Sequence, residues 1–168
     1  LLSRGLGDVY KRQESTELET GHRVKKMIGN GMRPNIWDKF KQRFGVKEIL
    51  ELYASSEGNV GFSNIFNFDN TVGFSPTPYA IVEFDKETNE PVRDQHGWCK
   101  KVKKGEVGLL LGKITRRSPF DGYTDPEKNK SVILKNVFKQ GDQYFNTGDL
   151  VRHCLLYTSD AADDMQCV

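Results

Sequence analysis

Apolar residues fall into a helical period most plainly at Ile36, Trp37, Phe40 and Phe44, with Lys39, Lys41, Gln42 and Arg43 between them. That spacing lays four large side chains on one face of a helix. Pro34 suits the first turn and Gly45 the stop, so the pattern predicts a helix from Pro34 that ends at Gly45. Before it, Arg23-Val24-Lys25-Lys26-Met27-Ile28 reads as a short strand halted by Gly29-Asn30-Gly31. After it, Val46 to Tyr53 alternates as a second strand. Strand, helix and parallel strand form a βαβ unit whose two loops share one sheet edge. Gly29-Asn30-Gly31 is therefore expected beside Ser55-Ser56-Glu57-Gly58.

Past this unit the period changes. Asn59 to Pro78 has no helical repeat, and its Val60, Phe62, Ile65, Phe66 and Phe68 read as a loop that lines an apolar cleft or packs as a connection. Tyr79 to Phe84, Trp98 to Val102 and Val107 to Ile114 read as strands. Asp85 to Asn89 is a polar turn, and Pro91-Val92-Arg93 begins the return. Asp125-Pro126-Glu127 starts a helix expected to run to about Phe138, with Val132, Ile133, Leu134, Val137 and Phe138 inward. A short strand, Gln143 to Asn146, delivers Thr147-Gly148-Asp149. The fold class is α/β. A βαβ portion of a mostly parallel sheet, residues 14–78, precedes a small antiparallel, barrel-like β unit, residues 79–153.

The two ends carry an inverted match at the level of DNA. Asp8 to Gln13 can be encoded by a string whose reverse complement, in another frame, encodes Cys154-Leu155-Leu156-Tyr157-Thr158-Ser159. Such a match resembles the transposon end of sequencing-library adapters, and Ser3 to Gly7 and Asp160 to Asp163 resemble its two primer tails. Residues 1–13 and 154–168 are expected to be adapter-like tails.

Without those ends, 22 basic and 19 acidic residues remain, a net charge of +3. So small an excess argues against a nucleic-acid binder. Lys100-Lys101-Val102-Lys103-Lys104 reads as a solvated hairpin, since no aromatic platform is interleaved with it. Cys99 is the one cysteine outside the tails, too few for a disulfide framework or a thiolate zinc site, which points to a reducing, cytoplasmic setting. No apolar run approaches a membrane span. His22, His96 and His153 lack metal-ligand spacing, and no Gly-x-Ser-x-Gly elbow is present.

The polar groups at the strand ends carry the chemistry. Tyr53 offers a flat apolar face to a base. The Ser55 and Ser56 hydroxyls can donate to phosphate oxygens, and the Glu57 carboxylate can hold Mg²⁺. Asp149 could accept hydrogen bonds from both hydroxyls of a ribose. Gly29-Asn30-Gly31 permits close backbone approach, although Pro34 replaces the third glycine of a dinucleotide fingerprint. Each of these short motifs also occurs in ordinary turns.

Their order is more specific. Gly29-Asn30-Gly31-Met32-Arg33-Pro34 with Trp37, Tyr53-Ala54-Ser55-Ser56-Glu57-Gly58-Asn59, Gly105-Glu106-Val107-Gly108-Leu109-Leu110, Phe120-Asp121-Gly122-Tyr123 and Tyr144-Phe145-Asn146-Thr147-Gly148-Asp149-Leu150 follow one another. The chain resembles the adenylate-forming acyl-CoA synthetases, in their very-long-chain acyl-CoA synthetase and fatty-acid transport protein branch, from about Glu14 to His153. Ala54 and Ser55 or Ser56 stand where that family usually has Gly and Thr, which keeps the hydroxyl.

The resemblance implies part of the large N-terminal domain of an AMP-binding ligase. It implies that Tyr53 stacks on adenine, that Gly29, Asn30, Gly31 and Met32 border the adenine pocket, and that Ala54 and Ser55 line the nucleotide. It gives Ser56 a catalytic phosphate contact, Glu57 the catalytic Mg²⁺ and Asp149 the ribose. ATP, Mg²⁺ and CoA follow as cofactors or substrates. A fatty carboxylate attacks the α-phosphorus of ATP, and CoA thiol then displaces AMP. The full-length protein is expected to work on small molecules in the cytoplasm, with peripheral membrane association as an option. Neither the family's Ser/Thr/Gly-rich phosphate loop nor its lid lysine is seen, so the chain reads as an internal fragment without turnover of its own. A ligase for a bile acid or carnitine-like acid, and a noncatalytic binding module, remain alternatives. The ligase reading places Asp149 and the Ser55 to Gly58 turn on one cleft, the Glu57 and Asp149 carboxylates about 10 Å apart.

Overall fold

The computed structural model describes residues 13–56, 59–88 and 90–154. After a single 3-10 turn at Glu17–Glu19, strand β1 (Lys26–Gly29), helix α1 (Pro34–Phe44) and strand β2 (Glu48–Ala54) follow in order. β1 and β2 pair in parallel, with Gly29 opposite Glu51, so the predicted βαβ unit is present. Pro34 occupies the first turn of α1, and Gly45 ends it in the left-handed region. Ile36, Trp37 and Phe40 are buried and meet Val46 and Ile49, with Met27, Met32 and Phe44 packed against them. Each such side chain contributes roughly 1.5–3 kcal/mol by leaving water. The Trp37 indole N–H donates to Asp69 Oδ1 at 2.9 Å, and Lys41 reaches the same oxygen at 2.7 Å. Those two bonds tie α1 to the irregular segment around Asp69.

The segment from Asn59 to Pro78, read as a loop, contains one short strand. β3 (Gly61–Ser63) runs antiparallel to β2, with Tyr53 opposite Phe62. Beyond it, buried Asn64 accepts from the Phe68 amide and donates to the Phe68 and Thr71 carbonyls. One side chain thus satisfies backbone that no ladder reaches.

The β unit is an open antiparallel sheet rather than a barrel. β4 (Tyr79–Val82), β7 (Val107–Lys113), β9 (Gln143–Arg152) and β8 (Ile133–Lys135) lie in the order β4-β7-β9-β8. β5 (Phe84–Asp85) and β6 (Glu90–Pro91) form a small separate hairpin. Val60, Phe62, Val72, Ile81, Leu110 and Val151 fill one side of the sheet. Ala80, Val82, Cys99, Leu109, Leu111, Val137 and Tyr144 fill the other. Burial on both faces explains the unbroken apolar run of β7. Trp98 to Val102, expected as a strand, makes only single bridges, Arg93 to Cys99 and Val82 to Lys101.

The second helix is shorter than its apolar pattern implies. Helix α2 (Pro126–Val132) is capped by Asp125, which accepts from the Glu127 amide. Ile133 then leaves it to pair with Phe145 of β9. Asn136 has φ 54°, which no α-helix continues through. The buried Asp142 carboxylate takes the amides of Val137, Phe138 and Lys139, groups that a longer helix would have used itself. Of the two ends expected to be adapter-like tails, residues 1–13 and 154–168, Gln13 and Cys154 lie inside the described residues and the rest outside. The Gln13 carbonyl accepts from Arg43 at 2.9 Å.

Two outcomes follow. A Cβ on Gly112 would land on Asn59 Oδ1 and lie 2.9 Å from its Cγ. Gly112→Ala is expected to cost about 3 kcal/mol as buried groups are forced apart, and an unchanged urea midpoint would contradict this packing. The second concerns acid. Hydrogen bonds from Arg43, and then Ser15, pull the Glu19 carboxyl from its ordinary 4.5 to about 2. Its contribution is therefore present above pH 4.5 and lost as pH falls through about 2. An NMR titration of Glu19 should have its midpoint near 2 and return toward 4.5 in Arg43→Ala.

Candidate functional site

Three separate pieces of chain meet at the C-terminal edge of the β1–β2 pair. The first is the turn Gly29-Asn30-Gly31-Met32, which leaves β1 just where β2 carries Glu51. Gly31 has φ 97°, a conformation that other L-residues rarely adopt, with open space where a Cβ would sit. Its amide and that of Met32, the latter at 2.8 Å, both donate to Glu51 Oε1.

The second piece is the end of β2. Tyr53 is half-buried, its ring 5.9 Å from that of Phe62. Ala54 is exposed, and at Ser55 the chain turns. The Ser55 amide donates to the Val60 carbonyl at 3.0 Å, as does its hydroxyl at 3.2 Å. Ser55 therefore closes the neck of a small loop, whereas Ser56 stands exposed on it. Glu57 and Gly58 lie outside the described residues, and with them the expected Glu57–Asp149 separation. Asn59, fully buried, anchors the far side of this loop. Its side-chain Nδ2 donates to the Ser118 carbonyl at 3.0 Å, and Ser118 Oγ donates back to the Asn59 backbone carbonyl at 2.6 Å.

The third piece is an irregularity in β9. Leu109 faces Leu150 and Leu111 faces Asn146, so Leu110 alone opposes Thr147, Gly148 and Asp149. This bulge is built from its own residues. Thr147 Oγ1 donates to the Leu110 carbonyl at 2.9 Å and accepts from the Asp149 amide at 3.1 Å. Gly148 takes φ 76° to make the bend. Bulges re-aim side chains, and here Asp149 is turned to the surface. The Tyr53 hydroxyl donates to Asp149 Oδ2 at 2.6 Å, joining residues 96 apart in sequence.

Of the residues singled out in sequence, then, Gly29, Asn30, Gly31, Met32, Tyr53, Ala54, Ser55 and Ser56 share the ends of two paired strands, and Asp149 bonds to Tyr53. Glu51 was missed. In an alternating strand a glutamate between two leucines reads as solvent-facing, yet Glu51 is 0% exposed and Leu52 39%. Burial, opposed by the two amides it accepts from, pushes its carboxyl upward. Asn59 and Ser118 were missed too, and no spacing in the sequence pairs them.

The groups present suit a nucleoside. They comprise a half-buried phenol ring, an exposed carboxylate with lone pairs beyond those the Tyr53 hydroxyl uses, an exposed serine and a turn with bare backbone. Among the described residues no three His, Cys, Asp or Glu side chains gather to hold a metal. Magnesium on one or two carboxylates and the substrate's phosphates requires no such group. No helix among the described residues is long and apolar enough to cross a membrane.

No family model matches the chain. It is 48% identical over 139 residues to the medium/long-chain-fatty-acid–CoA ligase FadD6 of Mycobacterium tuberculosis, covering 83% of this chain and 23% of that protein. It is 44% identical over 156 residues to long-chain fatty acid transport protein 2 of Rattus norvegicus, covering 85% and 25%. The chain thus spans about a quarter of the length of these curated relatives. Among solved structures, ATP-bound MatB from Rhodopseudomonas palustris superposes with a TM-score of 0.53 at 21% identity, over 79% of this chain and 23% of that one. A long-chain-fatty-acid–CoA ligase from Archaeoglobus fulgidus gives 0.53 at 12% identity, over 89% and 29%. These two likenesses show that the chain shares part of the fold of those two proteins. Over the residues matched, the chain is homologous to fatty-acid–CoA ligases and long-chain fatty acid transport proteins.

Proposed function

We propose that this chain carries the nucleotide-binding edge of an ATP-dependent acyl-CoA synthetase acting on long- or very-long-chain fatty acids. The bond between Tyr53 and Asp149 is the observation that carries the reading. A pair of ordinary turns gives no reason for a strand end and a distant bulge to converge. A nucleoside site does, because one group must cover the base while another reaches the sugar.

In this reading Tyr53 stacks on adenine, and Gly29 to Met32 with Ala54 border it. Asp149 accepts from the ribose hydroxyls, Ser55 shapes the loop and Ser56 donates to phosphate. Magnesium, held at Glu57, would supply charge neutralisation at the phosphates. The physical difficulty is the approach of an anionic carboxylate to a polyanion, and fixed donors at the developing charge lower it. Residues 14–78 and 79–153 are two portions of one nucleotide-binding domain. Fatty acid, ATP and CoA are the partners, and the relatives named as fatty acid transport proteins support a peripheral membrane setting for the complete, otherwise cytoplasmic, protein.

The test uses the complete protein. Asp149→Ala should raise the KM for ATP about tenfold, equivalent to ~1.4 kcal/mol of lost binding, with little change in the KM for CoA. Glu57→Ala should instead lower kcat for acyl-adenylate formation, followed by pyrophosphate exchange. An Asp149→Ala protein with wild-type ATP dependence would defeat the assignment.

A further inference from the structure

Ile49, Glu51 and Tyr53 lie on one face of β2, since alternate residues of a strand point the same way. Ile49 belongs to the core under α1 and Tyr53 packs against the core under β3. A carboxylate with no exposed surface stands between them. An apolar residue there would avoid the cost of burying it. Among the described residues its compensation comes from the turn: Oε1 accepts the amides of Gly31 and Met32. Oε2 has no partner among the described residues and lies 3.1 Å from where a Cβ on Gly29 would be. Gly31 and Met32 fall between β1 and α1, outside both ladders. One oxygen bridging two successive amides fixes the orientation of both peptide planes.

We infer that Glu51 is a positioning residue, which sets the Gly29 to Met32 turn at a fixed height above Tyr53 and so sets the width of the slot that receives the base. The role rests on the nucleotide reading above. Tyr53 is two residues further along the same face, ~7 Å away, so a displaced turn alters that slot directly. The requirement is for an oxygen at full side-chain reach, and negative charge is secondary.

That distinction makes the inference testable in the complete protein. In Glu51→Gln, a carbonyl oxygen still reaches both amides. In Glu51→Asp, the charge stays but the oxygen withdraws by one methylene. Glu51→Gln should keep the KM for ATP within about threefold of wild type, whereas Glu51→Asp should raise it about tenfold. The KM for CoA and kcat should move little in either. Amide hydrogen exchange at Gly31 and Met32, measured without nucleotide, should be faster in Glu51→Asp than in Glu51→Gln. Equal or reversed KM values for ATP in the two variants would overturn the role, whatever the exchange rates. Wild-type protein that forms no acyl-adenylate would sink the functional reading itself, which is a different failure from active wild type with indifferent variants.

Discussion

β2 is hydrogen-bonded along both edges, parallel to β1 on one side and antiparallel to β3 on the other. A strand held this way cannot slip, because a shift of one residue would exchange its two faces. Ile49 and Glu51 would then point outward, and Leu50 and Leu52 inward, ruining the packing under α1. The register therefore fixes the position of the strand's last residues. It puts Glu51 beside Gly29, Tyr53 opposite Phe62 and Ala54 opposite Gly61. Phe62 in turn packs with Ile81, Leu110 and Val151, so the small parallel unit is seated on the larger antiparallel sheet by the same strand pairing that shapes the site.

The antiparallel sheet answers with a bulge. Had β9 paired with β7 without interruption, residues 147–149 would have been spent on the ladder. Three residues opposite one release them, and Thr147 takes over the carbonyl of Leu110 that the ladder would have paired. Thr-Gly-Asp is thus a compact instruction. Threonine satisfies the freed backbone, glycine supplies the left-handed bend, and aspartate is delivered to the surface within reach of Tyr53. A simple turn accounts for the glycine alone.

Much of this was legible in sequence, for identifiable reasons. α1 was readable because its apolar face, its proline and its glycine all agree. The parallel pairing followed from the single short helix between two strands. The excess length assigned to α2 came from Val132, Ile133, Leu134, Val137 and Phe138, whose spacing also suits a strand followed by a tight turn. What decided it was Asp142, whose carboxylate captures three amides, and a single acid downstream announces no such capture. β3 is three residues long, too short to show a period. The candidate residues were legible as polar groups at strand ends, and their convergence rests on the Tyr53–Asp149 bond. Their supports, Glu51, Asn59 and Ser118, were not, because each is a polar residue whose burial only the tertiary packing determines.

Three carboxylates divide the work by environment. Asp142 and Glu51 are buried, and each takes backbone N–H groups of a turn as its compensation. Asp149 is exposed and takes a phenol hydroxyl, leaving acceptor capacity toward solvent. A buried acid is costly unless its partners are fixed, so buried acids suit the holding of backbone, and oxygens shielded from solvent make poor ligands for a passing solute. An exposed acid oriented by a bulge costs little to keep and can exchange its water for a sugar hydroxyl. The same chemical group thus builds the scaffold in two places and, in the third, keeps acceptor capacity open to solvent, with burial deciding which.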